Sequence, residues 1–293
     1  MGKTITVQQF MQRFPDDDAC IAHLFKLRYG KKFKCPRCGE IGLFRKLAKL
    51  PAYTCNCGEH VHPMVGTPFV RTHVPLQKWF YAMYLFTTSR HGVPAKELQR
   101  QLGVSYETAW TMAGKIRKYM AKVDGDGSLG GHVEIDETMI GGRRSGGKRG
   151  RGAPGKTVVF GMLERDGDIL TRIVNNVPRK TLERHVIEHI RTGATISTDE
   201  LKSYAKLSRL GYKHGAVNHA REEWVNGIHH TNSIEGFWSL LKRAIRGTHV
   251  HVSRKHLAKY LGEFEFRWNL RHAPELMFPR LLLSLGTSRR ATA

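Results

Sequence analysis

Three carboxylates stand where they could do chemistry. Asp136 closes the alternating run HVEID, and Asp199 closes ATISTD. A carboxylate at a strand end can point into an open site, and two from neighbouring strands can share a divalent metal. Glu235 lies in HTNSIEGFWSLLKRAIRG, where Ile234, Phe237, Trp238 and Leu241 would bury one side of a helix. On that helix Glu235, Ser239 and Lys242 fall at i, i+4 and i+7 and so share a face. A third acid there would complete a two-metal site, with Lys242 close enough to meet a phosphate. Such sites activate water or a 3′ hydroxyl and stabilise the leaving oxygen of an in-line displacement. Spacing alone does not select these three from the 25 acidic residues of the chain.

A second cluster holds metal for a different purpose. Cys35-Pro-Arg-Cys38 and Cys55-Asn-Cys57 bring four thiols into a short segment, with Cys20 alone upstream. Two thiolates one knuckle apart grip one side of a tetrahedral Zn²⁺, and a second pair closes the shell. The second pair is compact, with one intervening residue where two are usual, so His60 or His62 could replace one of its ligands. This pattern predicts a structural zinc ribbon in a reducing compartment rather than a disulfide framework.

The elements that must position these residues follow from periodicity. Residues 1–30 read as helical, with apolar Phe10, Phe14, Cys20, Ile21, Leu24 and Leu27, broken at Pro15. Residues 31–70 form the ribbon. Residues 71–122 return to helix: Trp79 to Phe86 is a buried helical run, and AKELQRQLGVSYETAWTMAGKIRKYM has a helix-turn-helix shape. There Leu98 and Leu102 precede Gly103 in the turn, and Trp110 and Ile116 follow on the second helix. A plain helical hairpin would pack the same way, but the basic tail Lys115, Arg117, Lys118 and Lys122 favours DNA. VDGDGSLGG, residues 123–131, is a linker by composition. Residues 132–284 then mix strands and helices, including a hairpin around Asp166-Gly167, which makes this block α/β.

The chain carries 48 Lys and Arg against 25 Asp and Glu, a formal charge of +23 over 293 residues. That excess predicts salt-dependent attraction to a polyanion. Between two expected strands, GGRRSGGKRGRGAPGKT (141–157) concentrates Arg143, Arg144, Lys148, Arg149, Arg151 and Lys156 among glycines. These cations would grip phosphate backbone without reading sequence. The segment is not a phosphate-cradling P-loop, which would have to follow a strand directly and open a helix. No run approaches the roughly 20 apolar residues that a bilayer crossing needs, and no export signal opens the chain. A cytoplasmic, nucleoid-associated protein without membrane contact is expected.

Seven stretches in series carry a family resemblance: CPRCG, GTPF with PLQKWFYAMYL, LQRQLGVSYETAW, EIDETMIGG, STDELKSY, HTNSIEGFWSLLKR and FEFRWNLRH. They span roughly residues 18–272, nearly the whole chain. The sequence resembles bacterial insertion-sequence transposases that join an N-terminal zinc ribbon to a DDE catalytic domain of ribonuclease-H-like fold. The resemblance implies a mixed sheet flanked by helices, with Asp136, Asp199 and Glu235 as the three acids and Lys242 as the basic residue seven positions on. Asn232 is carried as an alternative in the third place, because some relatives use Asn there. It further implies Mg²⁺, with Mn²⁺ as a substitute, at the acids and Zn²⁺ at the cysteines. The implied partners are double-stranded DNA, both terminal inverted repeats and target, and further copies of the chain assembled on it. The implied reaction is hydrolysis at element ends followed by attack of the freed 3′ hydroxyl on target DNA. Two other readings compete: a non-catalytic zinc-ribbon and helix-turn-helix regulator, and a metal-dependent nuclease of the same fold.

Overall fold

The change from helical to alternating period at residue 132 marks the main division of the chain. The structure, a computed structural model, describes residues 4–42, 44–141 and 156–287. Two units result, one from Met1–Tyr119 with His272–Ala293, the other from Met120–Arg271. The division places the C-terminal boundary of the α/β block at 271, not at the expected 284.

In the first unit, α1 (Val7–Arg13) begins with a capping box in which Thr6 and Gln9 satisfy each other's backbone N–H groups. After the break at Pro15, Asp16 caps α2 (Asp17–Tyr29), accepting from the Ala19 N–H at 2.7 Å. Strands β1 (Phe44–Lys46), β2 (Tyr53–Cys55) and β3 (His60–Val61) form a small antiparallel sheet. Helix α3 (Leu76–Thr88) is the expected buried aromatic run, with Trp79, Phe80, Met83, Tyr84 and Phe86 inside. Helices α4 (Ala95–Leu102) and α5 (Tyr106–Asp124) make the helix-turn-helix shape, and Gly103 supplies the left-handed residue between them at φ 59°.

Two expectations about α5 are corrected. Trp110 is 41% exposed, because Ala109, Met112, Ala113 and Ile116 form the inward stripe and Trp110 lies off it. Arg117 is buried rather than basic surface, and its guanidinium donates to the Val93 carbonyl at 2.8 Å.

The second unit is built on β4 (His132–Gly141), β5 (Lys156–Glu164), β6 (Ile169–Val174), β7 (Thr195–Thr198) and β8 (Lys213–Ala216), with α6 (Arg179–His189) between β6 and β7. The sheet order is β6-β5-β4-β7-β8: three antiparallel strands, then two added parallel to β4. It is a mixed sheet flanked by helices, as the resemblance implies. Alternation sorts β4 onto two faces. Val133 and Ile135 join a core with Phe160, Met162, Leu182 and Val186 of α6. The opposite face packs Ile140, Val159 and Leu163 against α7 (Asn232–Ala244) and α8 (Arg254–Asn269).

The β5–β6 hairpin turns at Asp166, φ 57°. Leu129, placed by composition in a linker, is buried in the first of these cores and forms a parallel bridge to Ile190. The connector is therefore shorter than 123–131, since α5 runs to Asp124.

The FEFRWN stretch has a plain structural job. β6 is an edge strand with unpaired N–H groups. α8 covers them: Glu265 accepts from the Thr171 N–H at 2.9 Å, and Asn269 accepts from the Ile169 N–H at 2.8 Å. Residues i and i+4 of the helix thus stand in for a sixth strand.

The closing helix α9 (Met277–Thr287) packs with α2 and α3 of the first unit. Phe278 lies against Phe10 at 5.9 Å between ring centroids, and Tyr119 donates to the Leu281 carbonyl at 3.0 Å. Gly286 permits this approach, because a Cβ there would sit 2.9 Å from the Leu27 carbonyl oxygen. Among the described residues no helix is long and apolar enough to cross a membrane.

Candidate active site and zinc centre

The two aspartates meet through strand register. β4 and β7 are parallel, and Glu134 pairs with Ser197. Asp136 and Asp199 each lie two residues further on and so stand level: Asp199 lies just past the end of β7, whereas Asp136 sits in the middle of β4, which runs on to Gly141 instead of ending at the aspartate as expected. Asp199 closes a turn, accepting from the Leu201 N–H at 3.0 Å. Asp136 accepts from the indole N–H of Trp238 at 3.0 Å. Gly161, opposite Asp136 on β5, makes room for that indole, since a Cβ there would come within 2.5 Å of the ring.

Burial pushes the Asp136 carboxyl up to about 7, and the neighbouring charges of Glu137 and Asp199 add to the shift. Glu137 projects to the other face, where buried Tyr204 donates to it at 2.5 Å.

The third acid is placed differently. Glu235 is exposed in the first turn of α7 and accepts from the Thr231 hydroxyl at 2.8 Å. Asp136, Asp199 and Glu235 do not offer three oxygens within 4.8 Å of one another. Lys242, half-buried, is close enough to Asp136 to feel its charge. Burial lowers the Lys242 ammonium, Asp136 opposes that shift, and Arg246 adds to it. Asn232 is exposed at the start of α7. Thus α7 presents Trp238 and Lys242 toward Asp136, with Glu235 one turn earlier. Of the basic insert, Lys156 is the first residue of β5 and pairs with Gly141. Arg143, Arg144, Lys148, Arg149 and Arg151 lie outside the described residues.

A residue that sequence reasoning passed over holds this helix in place. Glu134 reads as the polar member of an alternating strand, yet it is fully buried. Its carboxylate accepts from the Ser233 N–H at 2.9 Å, the Ile234 N–H at 3.0 Å and the Ser233 hydroxyl at 3.1 Å. Thr231, the N-cap residue, makes no side-chain cap bond, so β4 caps α7 from outside. Arg165 neutralises Glu134 at 2.8 Å and donates to the Ile228 and His230 carbonyls, pinning the approach to α7. The only signal in the sequence is a carboxylate inside a run whose other members must be buried. Glu134→Gln should cost about 3 kcal/mol, because it leaves Arg165 without its buried counter-charge. Thermal unfolding should show Tm lower by about 6–12 °C, and an unchanged Tm would remove this role.

The ribbon assembles all four cysteines. Cys35 and Cys57 sulfurs are 3.6 Å apart, as are those of Cys38 and Cys55, and the four lie within 4.8 Å of one another. A tetrahedral Zn²⁺ with bonds of about 2.3 Å needs sulfurs about 3.8 Å apart, so the donor set fits zinc. Burial resists ionisation of Cys35, but backbone N–H groups of Cys38 and Arg37 and the neighbouring thiols outweigh it and bring the thiol down to about 7. His60 and His62 are not members of the cluster. The compact Cys55-Asn-Cys57 spacing works because Gly58 takes a positive φ of 87° and donates back to the Cys55 carbonyl.

Known families match both parts. Residues 128–269 match the ISXO2-like transposase domain, and residues 15–60 match a transposase zinc-ribbon domain. The chain belongs to the ISXO2-like transposases. It is an insertion-sequence transposase by family. A protein of the transposable element ISH50 from Halobacterium salinarum is 27% identical to this transposase over 270 residues, covering 83% of this chain and 88% of the relative. That relative is archaeal, so the similarity extends beyond bacterial elements. Among solved structures, the Mos1 strand transfer complex is similar at a TM-score of 0.32 and 14% identity, over 67% of this chain and 74% of that one. The Mos1 mariner paired end complex with Mn is similar at 0.30 and 14%, over 67% and 75%.

Proposed function

We propose that this transposase binds the ends of its element and catalyses metal-dependent DNA cleavage and strand transfer from the Asp136–Asp199 pair. The observation that carries the reading is the pairing itself: two carboxylates level on adjacent parallel strands, one with its proton affinity raised by burial and by its acidic neighbours. Such a site is electrostatically incomplete without a cation. Hard oxygen donors suit Mg²⁺, with Mn²⁺ as a substitute. Asp136 and Asp199 would hold it, with Glu235, or Asn232 in its place, supplying a further oxygen from α7. When bound, the metal activates the attacking hydroxyl and stabilises the leaving oxygen at phosphorus. Trp238 orients the Asp136 carboxylate, Glu134 positions α7, and Lys242 offers its ammonium to a phosphate.

The zinc ribbon and the α4–α5 pair would recognise the element's ends, while the cations of 141–157 grip the DNA backbone. Holding two ends together calls for a dimer or larger assembly. A cytoplasmic, nucleoid-associated location follows from that role.

The test is product analysis. The purified chain, Mg²⁺, a duplex carrying the element's terminal repeat and a target plasmid should yield strands joined to target. Cleaved strands alone would indicate a nuclease, and binding without either would indicate a regulator.

A further inference from the structure

The sequence His185-Val-Ile-Glu188-His189 places two imidazoles and a carboxylate within the last turns of α6. Leu182 and Val186 of that helix pack on the face of the sheet that carries Val133 and Ile135. Asp136 lies on the opposite face with Trp238, so this group is separate from the proposed catalytic pair.

The rings of His185 and His189 are nearly parallel, 8° apart in plane. Glu188 Oε2 lies 4.0 Å from His185 Nδ1 and 3.8 Å from His189 Nε2. One donor atom from each residue falls within 4.8 Å of the other two. His185 Nδ1 is buried and makes no hydrogen bond to any described residue. A buried polar nitrogen left in that state is unfavourable, and an ion among the three donors would satisfy it. The nearby cation Arg172 is engaged with Asp126 at 2.7 Å.

We propose that His185, Glu188 and His189 form a second transition-metal site, of the zinc class. Two imidazoles with one carboxylate favour Zn²⁺ or its borderline neighbours over Mg²⁺. A tetrahedral ion with bonds of about 2.0–2.1 Å needs donors about 3.4 Å apart, which small side-chain rotations supply here. The ion would clamp consecutive turns of α6 just before Ile190, whose backbone runs beside Leu129. Three protein ligands leave a fourth position open to water. The inference is independent of the proposed catalytic reading.

Equilibrium dialysis against Zn²⁺ tests it, using the full chain with its ribbon zinc in place and Mg²⁺ in millimolar excess. The wild type should take up one zinc beyond that of the ribbon. The double variant His185→Gln/His189→Gln should lose that uptake, and Glu188→Gln should weaken it at least about tenfold. No uptake beyond the ribbon's zinc in the wild type, or equal uptake by the double variant, overturns the site. Should the double variant not fold, the exposed Glu188 decides: unchanged affinity in Glu188→Gln overturns the proposal as well.

Discussion

Asp136→Asn should lower strand cleavage and joining by at least about 10³-fold, as expected when a carboxylate is removed from the shell that organises an in-line displacement. Duplex binding should persist, since the ribbon and the α4–α5 pair do not involve Asp136. Undiminished joining by the variant would sink the catalytic assignment. The same substitution should also make the protein more stable in Mg²⁺-free buffer at pH 8. Asp136 holds its proton up to about pH 7 because of burial, with the charges of Glu137 and Asp199 as further causes.

In the unfolded chain this group titrates near the ordinary aspartate value of about 3.9. Between those two values the folded state binds a proton that the unfolded state has released. Stability from this group is therefore complete below about pH 4 and is lost as pH rises through about 7, a penalty on the order of 4 kcal/mol. A neutral amide escapes it. Urea unfolding should find the variant ahead of wild type at pH 8 and close to it at pH 4.5. Added Mg²⁺ should stabilise the wild type and leave the variant unchanged. Equal stability at both pH values would show that Asp136 is not held against its charge. A cation held at the proposed site would offset this cost.

The second large effect belongs to the ribbon. Cys38→Ser should unfold β1–β3 and drop the tightly held zinc from about one per chain to none. Cys38 is exposed, so the loss reports a missing ligand rather than a cavity. Zinc binding in small thiolate sites contributes about 10 kcal/mol or more to folding, while three strands of three, three and two residues bury too little to hold alone. Elemental analysis checks the metal, and amide exchange should rise over residues 35–61 while the β4–β7 core stays protected. A fully protected ribbon without zinc would contradict the assignment.

Much of this was legible in the chain because it is local. A knuckle of Cys-Pro-Arg-Cys and a compact Cys-Asn-Cys carry their own geometry, so the four cysteines could be named as candidate ligands from spacing, with His60 and His62 still open. The histidine alternatives fell away only when the three strands brought Cys55 and Cys57 against Cys35 and Cys38. Alternation in HVEID and ATISTD located the strands that carry or precede Asp136 and Asp199, but it placed a strand end at Asp136 where β4 runs on to Gly141. Strand β8, KHGA, has no such alternation and escaped notice. Trp110 had the right residue type for a core but stands off the inward stripe of α5, and composition could not see the difference.

What the sequence by itself determined was the presence of a zinc ribbon, an α/β block with an aspartate in each of two strand motifs, and, through seven motifs in order, the family. The tertiary structure decided who meets whom. Glu134, unremarkable in a strand, becomes the cap of α7 because the segment after β8 brings that helix back over β4. Trp238 reaches Asp136 only because Gly161 leaves room between them. Residues 272–287 look like the end of the catalytic block yet pack with α2 and α3. Each of these contacts joins segments distant in sequence, and an apolar stripe specifies that a face will be buried without naming its partner. The three acids divide along that line: register pairs the aspartates, while Glu235 depends on how α7 is held.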